Sequence, residues 1–324
     1  MRGHSAWHYR PYSPLDRFEK RDLPYICRLA PGEPTVELEW FDRGSEGTHV
    51  LYYRVRNSGD AYRKQELMGS TAVADQLEID CDYEIYVARE DGSGHSDMRL
   101  FRTGAAVGTV VNYLHPEDET YAYSGRSLCS PSIVKLPSGA LLASMDVFAG
   151  RAPQNLSLLF RSDDGGLHWH YVCDLFPCFW GKLFWHKGEL FMLAHASEYG
   201  HLLIGKSQDE GKTWSAPVTI LPGAGTWVGR GPHKAPMPVV ELLGRLYTGI
   251  DYGSWSTGGH GNGLLSIDAE SDLMVAENWQ CTGFLPYDEN WEGAASGKSG
   301  GGLESEGGQN GSGGAITLSS LCRL

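Results

Sequence analysis

The sequence lacks long apolar runs. No segment approaches the roughly 18 consecutive apolar residues that a transmembrane helix needs, so membrane insertion is not expected. The first 25 residues are polar and aromatic and lack the apolar core of a secretory signal, so no signal peptide is expected either. These absences leave the compartment open, with the cytoplasm as the default.

Cysteine pairs and positive charge are also scarce. The seven cysteines include no C-x-x-C pair, which argues against a structural zinc site or a dense disulfide framework, and we expect no metal or cofactor. Lysine and arginine number 27 against 40 acidic residues, which gives a net charge of −13. A chain this acidic is not attracted to phosphate backbones, so nucleic-acid binding is disfavoured. The glycine-rich stretches also lack the spacing of a phosphate-binding loop.

Turn-forming and strand-forming residues are abundant. The chain contains 42 glycines and 16 prolines, together with 10 tryptophans, 16 tyrosines and 10 phenylalanines. Glycine and proline favour turns, whereas aromatic residues favour strands. Helical heptads are absent. The composition therefore predicts an all-β fold, and the length favours two domains.

Residues 23–103 follow a period of two, which is typical of strands with one buried face. The clearest examples are 36–40, 51–56 and 83–88, separated by turn sequences at 42–44, 57–59 and 91–94. Within this region, Trp40, Leu77 and Tyr83 together resemble a fibronectin type III domain. The resemblance implies an Ig-like sandwich that acts as a spacer, in which the tyrosine hydroxyl bonds back to the backbone.

A repeat occupies residues 128–280. The pattern S-x-D-x-G-x-x-W occurs at 162–169 and again 45 residues later at 207–214, with a degenerate third copy from Ser266 to Trp279. Each copy is preceded by a glycine hairpin turn, at Gly139, Gly188 and Gly244. Each unit is thus predicted to contain four antiparallel strands in about 45–60 residues, the length of a propeller blade.

The two clean copies resemble the Asp-box, or BNR repeat, of sialidase-like propellers of the six-bladed type. The resemblance implies a propeller over residues 104–290 in which the box is structural and lies away from the active site. The Asp-box residues are Ser162, Asp164, Gly166, Trp169, Ser207, Asp209, Gly211 and Trp214. In that family an Arg-Ile-Pro motif begins the first blade, whereas the matching segment here, 129–133, has cysteine in the arginine position. The chain therefore resembles BNR-repeat glycosyl hydrolases more than authentic neuraminidases.

The repeat predicts where charged and polar side chains collect. Seven residues beyond each turn glycine, an otherwise apolar strand ends in Asp146, His195 or Asp251, and the preceding strands begin near Cys129, Trp180–Lys182 and His233. We expect these ends to form one rim near a propeller axis. Acidic side chains at such a rim suit acid–base chemistry on a glycosidic bond. The catalytic candidates are Asp146, Glu198 and Asp251. The substrate-binding candidates are Arg126, Arg151, His195, Tyr199, Arg230, His233 and Lys234, with Trp255 and His260 on a further long loop.

These observations favour an exo-glycosidase of the sialidase-like propeller type whose partner is a glycan. The sugar, the linkage and the stereochemical course stay open, as does whether the chain is an enzyme. One alternative is a non-catalytic glycan-binding or adhesion module, and another is an inactive truncated product. The domain content suggests extracellular work on glycans.

The ends of the chain are expected to lie outside the two domains. Residues 1–22 would be a leader, and the Gly/Ser-rich stretch 291–324 a disordered tail. A closed six-bladed ring needs about 300 residues at roughly 50 per blade, which is more than residues 105–291 provide. The propeller is therefore expected to be incomplete or frameshifted, with open strand edges that favour self-association.

Overall fold

The structure is a computed structural model that describes residues 7, 22–225, 229–254, 260–286, 288 and 290–292. Most of the predicted leader and of the predicted tail, together with Trp255, lies outside the described residues. The chain is all-β, as its composition predicts, and one short 3-10 helix, Ala276–Asn278, lies among its strands. Within the described ranges, no helix has the length and apolar character needed to cross a membrane.

The strands follow one another in chain order. They are β1 (Tyr25–Pro31), β2 (Val36–Phe41), β3 (His49–Val55), β4 (Arg63–Leu67), β5 (Thr71–Ala74), β6 (Asp82–Arg89), β7 (Arg99–Arg102), β8 (Ser127–Lys135), β9 (Leu141–Phe148), β10 (Ser157–Ser162), β11 (His170–Leu175), β12 (Phe179–His186), β13 (Glu189–His195), β14 (Leu202–Ser207), β15 (Val218–Leu221), β16 (Gly231–His233), β17 (Val240–Leu242), β18 (Arg245–Gly253), β19 (His260–Asp268), β20 (Gln280–Cys281) and β21 (Leu285–Pro286).

Two compact units divide the chain. The first comprises the described residues between 8 and 176, and the second comprises Trp7 together with the described residues from 177 onward. The first unit contains the predicted sandwich and the sheet of the first repeat, β8 to β11. The second unit contains the sheets of the other two repeats.

The sandwich in the first unit has one sheet in the order β1-β2-β5 and another in the order β4-β3-β6-β7. Along β2 and β6 every second residue is buried, as the period of two predicts. The buried residues of both sheets form one apolar core: Ile26, Leu29, Val36, Leu38, Trp40, Leu51, Tyr53, Leu67, Ala74, Leu77, Tyr83, Ile85, Val87 and Phe101. Burial of this shared core holds the two sheets together.

Tyr83 ties one end of the sandwich together. Its hydroxyl oxygen accepts a hydrogen bond of 2.8 Å from the backbone N–H of Glu78, and its ring stacks on Phe101 with centroids 5.2 Å apart. The bond to the backbone that the fibronectin resemblance implies for this tyrosine is therefore present.

Removing this hydroxyl should weaken the sandwich. Tyr83→Phe leaves the N–H of Glu78 without its acceptor, so the free energy of unfolding should fall by about 1 kcal/mol in urea titrations. Tyr52→Phe is the matched control, because the ring of Tyr52 is partly exposed and stacks on Tyr86 at 4.8 Å. Equal effects of the two substitutions would show that the Tyr83 bond contributes nothing.

A buried ion pair lies in the same unit. Arg99 Nε donates to Asp118 Oδ2 at 2.7 Å, and the two side chains are 1% and 0% exposed. Asp118 also accepts hydrogen bonds from the backbone N–H groups of Leu100 and Thr120, while Arg99 Nη1 donates to the carbonyl of Ile26. The charges are thus compensated by a network of further hydrogen bonds.

Each repeat sheet has the meander order of a propeller blade. The strands run β8 to β11 in the first sheet and β12 to β15 in the second. In the third, β16 and β17 both pair with β18, and β20 and β21 both pair with β19. The hairpins that open the sheets turn at Gly139, Gly188 and Gly244, with φ values of 92°, 85° and 73°. Such positive φ values explain the glycines at these turns.

The two S-x-D-x-G-x-x-W segments fold alike. In each, the serine Oγ donates to the aspartate Oδ1 at 2.8 Å and accepts from the glycine N–H at 2.8 Å. The aspartates, Asp164 and Asp209, accept backbone N–H groups further along the turn. The indoles of Trp169 and Trp214 donate to the glycine carbonyls at 3.1 and 3.0 Å. These hydrogen bonds pair polar groups within the turn, so the repeated positions of the segment stabilise its structure.

The first strand of each repeat sheet is irregular near the same end. The register shifts by one residue between Cys129 and Ser132 in the first sheet, and between Phe179 and Lys182 in the second. In the third sheet the strand is split, with residues 234–239 between β16 and β17. A bulge of this kind re-aims side chains at a sheet end.

Candidate functional site

The three predicted rim residues occupy equivalent places in their sheets. Asp146 lies opposite Cys129 on the neighbouring strand, His195 lies opposite Phe179, and Asp251 lies opposite His233. Directly opposed residues in an antiparallel pair present their side chains on the same face. Asp146 belongs to the first unit, whereas His195 and Asp251 belong to the second.

In the second unit, aromatic and imidazole rings form a cluster. We call it the ring cluster and define it as Trp180, His195, Tyr199, His233 and His260. The Trp180 ring centroid lies 4.2 Å from that of His233 and 5.8 Å from that of His195. Tyr199 lies 5.1 Å from His233 and 5.8 Å from His260, while His233 and His260 are 4.9 Å apart. Residues from β12, β13, β16 and β19 and from the loop after β13 thus meet in one place.

The loop after β13 positions Tyr199 by an unusual backbone conformation. Tyr199 has a φ of 56°, and its carbonyl accepts the N–H of Gly225 at 3.0 Å. A Cβ atom on Gly231 would lie 2.2 Å from the Tyr199 carbonyl oxygen, so β16 can approach this loop only with glycine there. The Tyr199 hydroxyl is 3.0 Å from Nε2 of His260. The loop therefore fixes one wall of the ring cluster.

Burial separates the accessible side chains from the supporting ones. His195 and Tyr199 are fully buried, and Lys234 and His260 are 2% and 6% exposed. Trp180, Lys182, His233 and Asp251 are partly exposed. Trp180, His233 and Asp251 are therefore the accessible side chains, while the buried His195 packs against Trp180 and the buried Tyr199 and His260 pack against His233.

Burial also sets the charge of the site. It lowers the pKa of His195 and of His233 to about 3, so both imidazoles are neutral near pH 7. Burial raises the pKa of Asp251 to about 6. A neutral imidazole can donate one hydrogen bond and accept another, and a carboxyl with a pKa near 6 is a usable proton donor.

Two lysines lie beside the ring cluster. The Lys234 ammonium donates to the backbone carbonyls of Ala235 and Met237 at 3.2 and 3.3 Å. Burial, assisted by the charge of Lys182, lowers the pKa of Lys234 to about 7. Burial lowers the pKa of Lys182 as well. Lys234 therefore carries only part of its charge near pH 7.

The other side chains that the sequence suggested for the site differ in burial and in their partners. In the first unit, Asp146 is buried and its Oδ1 accepts the Ser157 hydroxyl. Arg126 is exposed and pairs with Glu119 at 2.8 Å, and Arg151 is exposed. In the second unit, Glu198 is partly exposed in the turn next to Tyr199, and Arg230 is exposed just before β16.

The structure places three further residues at or beside the ring cluster: Trp180 and Lys182, which the repeat marks at a strand start, and His260, which the sequence gives as a candidate on a long loop. Trp180 and Lys182 lie at the start of a first strand, where His233 lies in the next sheet, so their repeat position was a usable signal. His260 begins β19 and no repeat position marks it. Among the residues that the structure describes, no group of three or more histidine, cysteine or acidic side chains has the arrangement of a metal site.

The comparisons with known proteins give only distant similarities. No protein-family model and no curated protein matches the sequence.

Three solved structures are among the similar ones. A protein of unknown function from Dyadobacter fermentans shares 15% identity over 78% of this chain, with a TM-score of 0.37, and this chain spans 61% of its length. An α-L-arabinofuranosidase from Lactobacillus brevis shares 12% identity, with a TM-score of 0.40. The match covers 80% of this chain and 71% of the arabinofuranosidase. An α-L-arabinanase from Penicillium chrysogenum, complexed with arabinobiose, shares 14% identity, with a TM-score of 0.38. The match covers 86% of this chain and 69% of the arabinanase. TM-scores below 0.5 establish neither a shared fold nor an activity for this chain.

Proposed function

We propose that this chain is a carbohydrate-active protein of the glycosidase type and that the ring cluster with Asp251 is its sugar site. The observation that carries the proposal is the juxtaposition of Asp251 and His233 on facing strands beside the partly exposed indole of Trp180. Aromatic faces suit stacking on sugar rings, and neutral imidazoles suit bonding to hydroxyl groups. Asp251 adds a proton donor to this surface.

In the proposed reaction, a sugar ring rests against Trp180 and bonds to His233. Asp251, protonated below about pH 6, gives its proton to the glycosidic oxygen as the bond to the anomeric carbon breaks. A second carboxylate must then activate water or attack the sugar directly. Glu198 is the candidate for that role within the second unit.

Glycan binding without turnover is the alternative function. Binding requires the aromatic and imidazole wall but no second carboxylate, and this wall is the best-defined part of the site. Trp180, Tyr199 and three histidines contribute to it. The fibronectin-like sandwich would then serve as a spacer, as expected for adhesion modules.

One experiment addresses both functions. The protein is assayed with a panel of 4-methylumbelliferyl pyranosides and furanosides, and its binding is measured on a glycan array. Trp180→Ala should weaken binding or kcat/KM for the best ligand about tenfold or more, because a stacking face is lost. Trp185→Ala, a partly exposed tryptophan on the same strand, is the matched control and should leave both unchanged.

The outcomes separate the hypotheses. Hydrolysis that depends on Trp180 supports a glycosidase, and binding alone supports the glycan-binding module. A cooperatively folded protein that neither binds nor cleaves any member of the panel would overturn the proposal in favour of an inactive product.

A further inference from the structure

A tryptophan from the N-terminal segment packs on the second repeat sheet. The Trp7 side chain is 1% exposed, and its indole Nε1 donates to the carbonyl of Pro177 at 2.8 Å. Its ring meets the ring of Trp214 edge-on, with centroids 6.2 Å apart and planes at 85°. Both the apolar face and the polar N–H of this indole are therefore satisfied by the second unit.

Gly205 in β14 makes room for this indole. A Cβ atom at Gly205 would lie 2.5 Å from Cε3 of Trp7 and 2.6 Å from Cζ3. Contacts this short do not occur between real atoms, so any larger residue at this position would displace the ring. Glycine inside a strand costs stability, and it commonly marks a place where another group approaches the backbone closely.

The internal repeat shows that the first sheet lacks this space. Gly205 lies two residues before Ser207 of its S-x-D-x-G-x-x-W segment, and Phe160 lies two residues before Ser162 in the first sheet. Phe160 is fully buried and packs against Tyr171 with centroids 5.9 Å apart. The first sheet thus fills this position with its own aromatic side chain, whereas the second sheet leaves it open for Trp7.

We propose that Gly205, Trp214 and the Pro177 carbonyl form an indole slot, and that the N-terminal segment carrying Trp7 is its separable peptide ligand. The charges of the two partners are complementary. Residues 1–12 contain Arg2 and Arg10 and no acidic residue, whereas the whole chain has a net charge of −13. Attraction of this kind speeds the association of a basic peptide. This inference does not depend on the proposed sugar site.

Peptide binding in trans tests the slot. A fluorescein-labelled peptide of residues 1–12 is added to the full-length Trp7→Ala protein, and its anisotropy is followed. The peptide should bind this variant. Its affinity for the wild-type protein should be at least about tenfold lower, because the wild-type slot is already occupied. The same peptide with alanine in place of Trp7 should not bind. Equal binding to both proteins, or no binding to the variant, would overturn the proposal.

A double-mutant cycle supplies a second readout that does not use the peptide. Gly205→Ala should lower the Tm of the wild-type chain by roughly 5 °C, because the new Cβ collides with Trp7. In the Trp7→Ala background the same substitution should leave the Tm unchanged or raise it, since the collision partner is gone. An equal fall in both backgrounds would show that Gly205 does not accommodate Trp7. Because both readouts are independent of sugar, failure of the sugar site would leave them intact.

Discussion

Replacing Asp118 with alanine should lower the free energy of unfolding by about 3–5 kcal/mol, because the guanidinium of Arg99 would stay buried without its counter-charge. The loss includes more than the ion pair. Two backbone N–H groups, of Leu100 and Thr120, would lose the carboxylate that accepts them. Urea or thermal unfolding of the full chain, followed by circular dichroism, measures the effect.

The matched control is Asp82→Ala in the same sandwich. Asp82 pairs with Arg102 at 3.0 Å, but both side chains are well exposed, so its loss should cost under about 1 kcal/mol. Similar losses for the two variants would contradict the argument from burial.

Acid should have the same effect as the Asp118 substitution. Although burial opposes ionisation, the charge of Arg99 and its hydrogen bond keep the pKa of Asp118 below its usual value. This contribution to stability is present above the unfolded-state pKa of about 3.9 and is lost as the pH falls through the lower folded-state value. Asp118→Ala should therefore be less sensitive to acid than wild type.

The second large effect concerns Asp251. If this carboxyl is the proton donor of a glycosidase, Asp251→Asn should lower kcat by about 10²–10⁴-fold, because asparagine cannot give up a proton. In the wild-type enzyme the rate should fall as the pH rises through about 6, where the carboxyl ionises. Initial rates on the best panel substrate between pH 4 and 8 check both statements.

The Asp251→Asn substitution should increase the stability of the protein near neutral pH, although it lowers kcat. Because burial raises the folded-state pKa of Asp251, its stabilising contribution is present below about pH 3.9 and is lost as the pH rises through 6. Near pH 7.5, Asp251→Asn should therefore increase stability by on the order of 1 kcal/mol, less than full linkage gives because the group is partly exposed.

Asp268→Asn is the control for both the kcat and the stability measurements, because Asp268 is an exposed carboxyl on β19. An Asp251→Asn enzyme with normal turnover would exclude this carboxyl as the acid.

Local patterns in the sequence predicted much of the fold. The period of two over residues 23–103 corresponds to strands with alternating burial, and the bond from the Glu78 N–H to Tyr83 is present. The two S-x-D-x-G-x-x-W segments share the same hydrogen bonds because the residues that form them are all local. Hydrogen bonds between residues that are close in the sequence can be predicted from the sequence itself.

Contacts between distant residues could not be predicted in the same way. Trp7 and Gly205 lie far apart in the chain, and neither belongs to a pattern that indicates the other. His260 joins the ring cluster through Tyr199, which depends on a left-handed backbone conformation that bulky residues rarely adopt. The repeat located the ends of strands, but the burial that raises the pKa of Asp251 depends on how the site is packed.

The split first strand of the third repeat sheet separates two functions that a continuous strand would combine. β17 keeps the outer ladder in register with β18, while β16 alone places His233 opposite Asp251. Residues 234–239 absorb the difference in register between these two pieces. Length changes in this connection would therefore shift His233 along β18 without changing the pairing of β17 with β18.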